Sequence, residues 1–256
     1  MTDRLDPLSA FRLDGRVVIL TGASSGLGAR FARVLDGLGA SVVLAARRVD
    51  RIAALASTLT SAIALACDVG TEGANDQLVS DTMSHFGRLD GIVANAGIAT
   101  TLPAARETTA DFRHVVAIDL IAPFELARAA LPHLRATNGS IVMVASVAGH
   151  GSSPMLPQAG YVAAKSGLVG LTRELAMQWA RYNVRVNALC PGMFPSEMTS
   201  ELTEHPDRVA AFSQQIPLGR VGREEELDGA LAYLLSDASS YMTGQSIIVD
   251  GGISTY

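Results

Sequence analysis

Three residues in the middle of the chain carry groups suited to moving a proton: Ser146, Tyr161 and Lys165. Tyr161 and Lys165 are four positions apart, so in a helix both lie on one face. A phenol, with a reference pKa of about 10, is a poor base and a sluggish acid at neutral pH. An ammonium one turn away favours the phenolate and draws that value down. A nearby serine hydroxyl can donate to an oxygen on which negative charge grows. Together such groups can put a proton on, or take one from, a carbonyl or alcohol oxygen. None of them supplies a hydride, so a second reagent must be held elsewhere.

The elements that position them follow from pattern. Residues 141–145 (IVMVA) form an apolar, β-branched run suited to a buried strand, and Ser146 sits at its carboxyl end. Open α/β sheets keep their ligands at that edge. A loop rich in Gly, Ser and Pro follows, then a helical pattern that opens near Tyr161 and runs to about residue 182. Similar apolar runs at 16–20, 41–45, 62–66, 91–94, 184–189 and 246–249 read as strands. Helical patterns at about 29–38, 47–59, 73–86, 109–135 and 224–235 alternate with them. This predicts an α/β fold: a doubly wound parallel sheet covered by helices on both faces, with a ligand crevice at its switch point. Residues 193–222 have weak periodicity and read either as a lid over the crevice or as a surface helix pair.

Bulk properties narrow the classes. The chain has 256 residues, 48% hydrophobic and 18% charged, which fits a large folded domain, read as residues 1–256 in one unit. A net charge of −5 argues against a general nucleic-acid or acidic-membrane binder. Cys67 and Cys190 are too few for a disulfide scaffold and suit a reducing cytoplasm. The first fifteen residues lack the apolar core of a secretion signal, and no apolar run reaches the length of a membrane span. His85, His114, His133 and His205 have no partner at ligand spacing, so no metal is expected. His150 reads as a solvated loop residue.

The missing reagent points to the first strand. TGASSGLG (21–28) joins it to the first helix, and Gly22, Ser24, Ser25, Gly26, Leu27 and Gly28 could cradle a pyrophosphate at that helix N-terminus. The glycines fall at 0, +4 and +6 rather than in the usual GxGxxG, and such turns also occur for packing. After the second strand, Ala46 stands where an acidic residue would hold an adenosine ribose, and Arg47 and Arg48 follow. Paired guanidinium groups suit a 2′-phosphate, which favours NADP(H) over NAD(H) unless both arginines are simply solvated.

TGASSGLG, Asn95-Ala96-Gly97, Ser146, Tyr161-x-x-x-Lys165 and Pro191-Gly192, in that order, resemble the short-chain dehydrogenase/reductase family across residues 13–252. The resemblance implies a Rossmann-type sheet of about seven parallel strands, usually in a homotetramer or homodimer. It implies hydride transfer between a nicotinamide and a carbonyl or secondary alcohol. It makes Tyr161 the general acid/base, Lys165 the residue that holds the nicotinamide ribose, and Ser146 the donor to the substrate oxygen. It places Asn95, Ala96 and Gly97 along the cofactor, Asp68 and Val69 beside the adenine, and Pro191, Gly192, Phe194 and Ser196 around the carboxamide. Phe194 and Ser196 depart from that family segment.

Two further departures stand out. Asp119 occupies the place of an asparagine that completes the family's proton relay. A relay through the main-chain carbonyl tolerates Asp119; one through the side-chain amide loses donors and gains a charge. The loop between Ser146 and Tyr161 is about two residues longer than is usual in the family, which suggests altered specificity. Expected pocket walls are Ile98, Val147, His150, Ser152, Pro154, Met155, Leu156, Met193, Phe194 and Met198. Sugar acids, 3-oxoacyl thioesters and apolar ketones are the candidate small-molecule substrates. The rivals are an idle nucleotide-binding regulator, favoured only by Asp119, and an epimerase or dehydratase, whose relatives carry a longer substrate domain.

Overall fold

Solid apolar strands must lose water on both faces, and a parallel sheet between two helical layers achieves this. The computed structural model describes residues 6–153 and 155–255. Its strands are β1 (Val17–Thr21), β2 (Ser41–Ala46), β3 (Ala62–Ala66), β4 (Gly91–Ala94), β5 (Ser140–Val144), β6 (Arg185–Pro191) and β7 (Ser246–Val249). They pair in the order β3-β2-β1-β4-β5-β6-β7, every neighbour parallel. The helices are α1 (Gly26–Gly37), α2 (Val49–Ala56), α3 (Ala74–Phe86), α4 (Thr109–Val116), α5 (Ala122–Thr137), α6 (Ala159–Trp179), α7 (Ser200–Thr203), α8 (Pro206–Ser213) and α9 (Asp228–Leu235). This is a Rossmann-type architecture, as the strand–helix alternation predicts.

Alternate strand residues supply the two layers. Val18, Leu20, Val42 and Leu44 pack with Phe31, Leu35, Leu231 and Leu235 of α1 and α9. Ile19, Val43, Ile92, Ile141 and Met143 pack with Leu78, Leu126, Leu134, Leu168 and Trp179 on the opposite face. Each such side chain contributes about 1.5–3 kcal/mol through burial. The order reverses between β1 and β4, because the chain returns from the β3 edge to build the other half. Loops leaving adjacent carboxyl ends there diverge, and a crevice opens between them.

One expected element divides in two. The pattern over 109–135 reads as a single helix, but α4 and α5 are joined by a wider π-helical turn, Ala117–Ile121. Its start is sharp: Thr108 Oγ1 accepts from Asp111 N–H at 3.1 Å, and the Asp111 carboxylate accepts from Thr108 N–H at 3.2 Å. The change of pitch has a local cause in Pro123, which has no N–H to give the Asp119 carbonyl four residues back. Turns of this kind are frequent at functional sites. Residues 193–222 contain α7 and α8, so the surface helix pair is present. Among the described residues no helix is long and apolar enough to cross a membrane.

Candidate active site

A cavity of about 660 Å³ lies over the switch point. Each chemically suited residue reaches it from the end of an element. Ser146 follows β5, where extended backbone gives way to a short turn; its Oγ accepts from Ala148 N–H at 3.1 Å. The hydroxyl proton therefore remains available to an oxygen in the cavity. Tyr161 and Lys165 lie one turn apart on α6 and both line the cavity. Lys165 Nζ is 5.5 Å from the centre of the Tyr161 ring.

Lys165 is buried, and its ammonium is held at two points. It donates to the Val144 carbonyl at 3.0 Å and lies 3.1 Å from Asp119 Oδ2. Burial works against this ammonium, but the Asp119 carboxylate and Tyr161 outweigh it and raise its pKa. Burial also pushes the Asp119 carboxyl up, against the pull of Lys165 and the Ile98 N–H. Asp119 Oδ1 accepts that N–H at 2.8 Å, and Oδ2 faces the Lys165 ammonium at 3.1 Å. Asp119 thus stands behind the lysine, tied to the loop after β4, and is not itself a wall of the cavity.

The other end of the cavity fits a dinucleotide. A Cβ on Gly22, whose φ is +67°, would lie 2.9 Å from the Ala96 Cα. One on Gly28 would collide with the Gly22 carbonyl oxygen. Both glycines therefore let the turn pack closely on itself and on the loop after β4, the tight strand-to-helix approach that sets helix α1 at the cavity edge. Thr21 Oγ1 accepts from the N–H groups of Asn95 and Ala96, each at 3.0 Å, and Asn95 Nδ2 donates to the Thr21 carbonyl at 2.9 Å. The glycine turn is thereby fixed to the end of β4. Ser24, Ser25, Gly26, Leu27, Arg47, Arg48, Asp68, Val69, Gly97, Pro191, Gly192, Phe194 and Ser196 line the same cavity, so all the residues expected around the cofactor converge.

The expected substrate walls do so only in part. Ile98, Phe194 and Met198 line the cavity, joined by Thr101 and His114, which periodicity did not single out. Val147, His150, Ser152, Met155, Leu156 and Met193 do not line it, and Pro154 lies outside the described residues. His150, expected to be solvated, is exposed but places Nε2 3.5 Å from Cys190 Sγ. Burial pushes the thiols of Cys67 and Cys190 up to about 11 each, which fits packing rather than nucleophilic chemistry.

Of the two arginines after β2, Arg47 is exposed, whereas Arg48 is not simply solvated. Arg48 Nη2 donates to Ser24 Oγ and Ser25 Oγ, each at 2.8 Å. It also donates to Glu197 Oε2 at 2.7 Å, and Arg48 Nη1 to Glu197 Oε1 at 3.1 Å. Arg51 Nη1 donates to the same Oε1 at 2.5 Å. These two guanidinium groups hold the Glu197 carboxyl down at about 2. Neither Arg51 nor Glu197 was apparent as a site residue; the only signal was Arg51 lying one helical turn beyond Arg48.

A doubly wound sheet with a glycine-floored crevice, a Tyr–Lys pair and a serine at one end defines a nicotinamide-dependent oxidoreductase. Comparison with known proteins agrees. A family model described as enoyl-(acyl carrier protein) reductase matches residues 22–254. The chain is 36% identical over 243 residues to a 3-oxoacyl-(acyl-carrier-protein) reductase, FabG, of Rickettsia felis, covering 94% of this chain and 98% of that one. It is 37% identical over 249 residues to L-fucose dehydrogenase of Oryctolagus cuniculus, covering 95% and 87%. A gluconate 5-dehydrogenase from Burkholderia cenocepacia, solved with NADP and tartrate, superposes with a TM-score of 0.92 at 30% identity, over 98% of this chain and all of that one. The chain belongs to the short-chain dehydrogenase/reductase family, whose members are NAD(P)-dependent oxidoreductases.

Proposed function

We propose that this protein interconverts a carbonyl and a secondary alcohol, with Tyr161 as general acid/base and NADP(H) as the favoured cofactor. The observation that carries the reading is convergence: Ser146, Tyr161 and Lys165 share one cavity with the glycine turn and Arg47 and Arg48. When bound, the nicotinamide supplies or accepts the hydride at the substrate carbon. In reduction Ser146 donates a hydrogen bond to the carbonyl oxygen and polarises it. Tyr161 gives that oxygen its proton as negative charge develops, so hydride and proton together complete the alcohol. Lys165 keeps a positive potential beside the tyrosine oxygen and stabilises the phenolate left behind. In oxidation Tyr161 takes the proton back. Arg47, Arg48 and Ser24 would hold a 2′-phosphate, and Asp68 and Val69 would border the adenine.

Nothing in the site favours an idle regulator, since each chemically suited side chain reaches the cavity. The substrate end combines Ile98 and Met198 with Thr101 and His114, so a sugar acid, a 3-oxoacyl thioester and an apolar ketone form the panel to screen. The chain acts as one catalytic domain, with residues 193–222 as its lid, because Phe194, Ser196, Met198, Thr199 and Ser200 border the cavity. Exposed Phe112, Ile121 and Phe124 around α4 and α5, and Tyr241 and Ile248 around the edge strand β7, support assembly into a homodimer or homotetramer. Sedimentation of the purified protein tests that assembly. Unpaired Cys67 and Cys190 agree with a cytoplasmic location.

The test of function is loss of reduced-nicotinamide absorbance with the substrate panel, using NADPH and NADH in parallel. Tyr161→Phe is expected to lower the rate by at least about 10²-fold. Undiminished turnover in that variant would overturn the mechanism.

A further inference from the structure

Arg48 and Arg51, just after β2, converge on one carboxylate, while Ser24 and Ser25 of the turn after β1 hold Arg48, and that carboxylate comes from the far side of the cavity. Glu197 is 149 positions from Arg48 and opens the short turn Glu197–Thr199, whose residues border the cavity. Its two oxygens take three guanidinium hydrogen bonds, and the guanidinium of Arg48 is itself oriented by both serine hydroxyls. Two cations and hydroxyls around an anion are the chemistry of a phosphate monoester site. Here the anion is part of the chain.

We infer that Glu197 is an internal competitor of the adenosine 2′-phosphate and sets the preference between NADP(H) and NAD(H). This rests on the reading of Arg48 as a 2′-phosphate ligand. A phosphate dianion reaching Arg48 meets a carboxylate already there, so it must displace Glu197 and free the turn that carries it. A ribose with a 2′-hydroxyl brings no such charge and leaves the Arg48–Glu197 pair in place. Displacement is feasible because both partners are on the surface: the Glu197 side chain is 51% exposed and that of Arg48 43%. Exposed pairs of this kind are weak and screened by salt. Glu197 therefore narrows the discrimination that its arginines would otherwise give.

The test is calorimetric binding of NADP⁺, NAD⁺ and adenosine 2′-monophosphate to the wild-type protein, Glu197→Gln and Glu197→Ala. Both variants are expected to bind NADP⁺ and adenosine 2′-monophosphate about three- to tenfold more tightly, with NAD⁺ changed less than about twofold. Unchanged or weaker NADP⁺ binding in both variants would overturn the inference. Equal tightening for NAD⁺ would also overturn it, since Glu197 would then act on the cofactor generally. Arg48→Ala separates the two layers of the argument. If it leaves NADP⁺ affinity intact, the assignment of Arg48 fails; if it weakens NADP⁺ while the Glu197 variants change nothing, only the competition fails.

Discussion

Replacing Asp119 by asparagine removes the counter-charge of a buried lysine while keeping an acceptor for the Ile98 N–H. At 3.1 Å and an effective dielectric of about 20, the gross attraction between the two charges is about 5 kcal/mol. Lys165 in the variant has one escape, which is to give up its proton. At pH 7 that costs about 1.4 kcal/mol for each unit below its reference value of about 10.4, which caps the penalty near 5 kcal/mol. Asp119→Asn is therefore expected to lose about 3–5 kcal/mol in urea unfolding at pH 7, and Asp119→Ala a further ~1–2 for the orphaned N–H. The sign with pH follows from linkage. In the wild type the Lys165 pKa is raised, so its contribution is fully present below the ordinary lysine range and is lost only above it. In the variant a neutral folded lysine faces a charged unfolded one, so the unfolded state binds the extra proton. The variant then gains stability as pH rises, and its deficit shrinks by up to about 1.4 kcal/mol per unit between pH 7 and 9. Adding Lys165→Met to Asp119→Asn should restore part of the loss, since no unpaired charge remains. A deficit under about 0.5 kcal/mol at pH 7, with no trend toward pH 9, would refute the buried ion pair.

Three other outcomes are expected. Ser146→Ala should lower kcat by about 10²-fold with little change in nicotinamide affinity, measured by steady-state kinetics beside cofactor titration, because only the donor to the developing oxyanion is lost. Gly28→Ala should weaken binding of both NAD⁺ and NADP⁺ at least about tenfold in calorimetry, because its Cβ has no room against the Gly22 carbonyl. Cys67 and Cys190, pushed up to about 11, should react with a disulfide reagent at pH 7.5 at least about 100-fold more slowly in the folded protein than in urea, followed by thiol release.

The strands were legible because burial on both faces demands runs such as VVILT and SIVMV, which need no long-range information. The Tyr161–Lys165 pair was legible because helical spacing alone fixes its common face. The break between α4 and α5 was not, since one extra residue in a turn leaves the apolar pattern almost unchanged; Pro123 was the only local mark of it. Of the expected substrate walls, Ile98, Phe194 and Met198 line the cavity, but those in the loop next to Ser146 in sequence, such as Val147 and Leu156, do not, while Thr101 and His114, from the other side of the crevice, do. Local signals place what an element's own geometry positions, and they fail where two distant segments meet.

The same distinction governs the charges. Each end of the cavity has a cation that already carries a carboxylate of the chain: Lys165 with Asp119, and Arg48 with Glu197. The Asp119 side chain is 0% exposed and that of Glu197 51%, and this difference decides what each pair can do. Parting Lys165 from Asp119 leaves an uncompensated charge in a low dielectric, so that pair holds the lysine in one place. Parting Arg48 from Glu197 only exchanges one solvated partner for another, so an arriving anion can drive it. One pair therefore positions the proton-transfer end, while the other is free to respond to the cofactor.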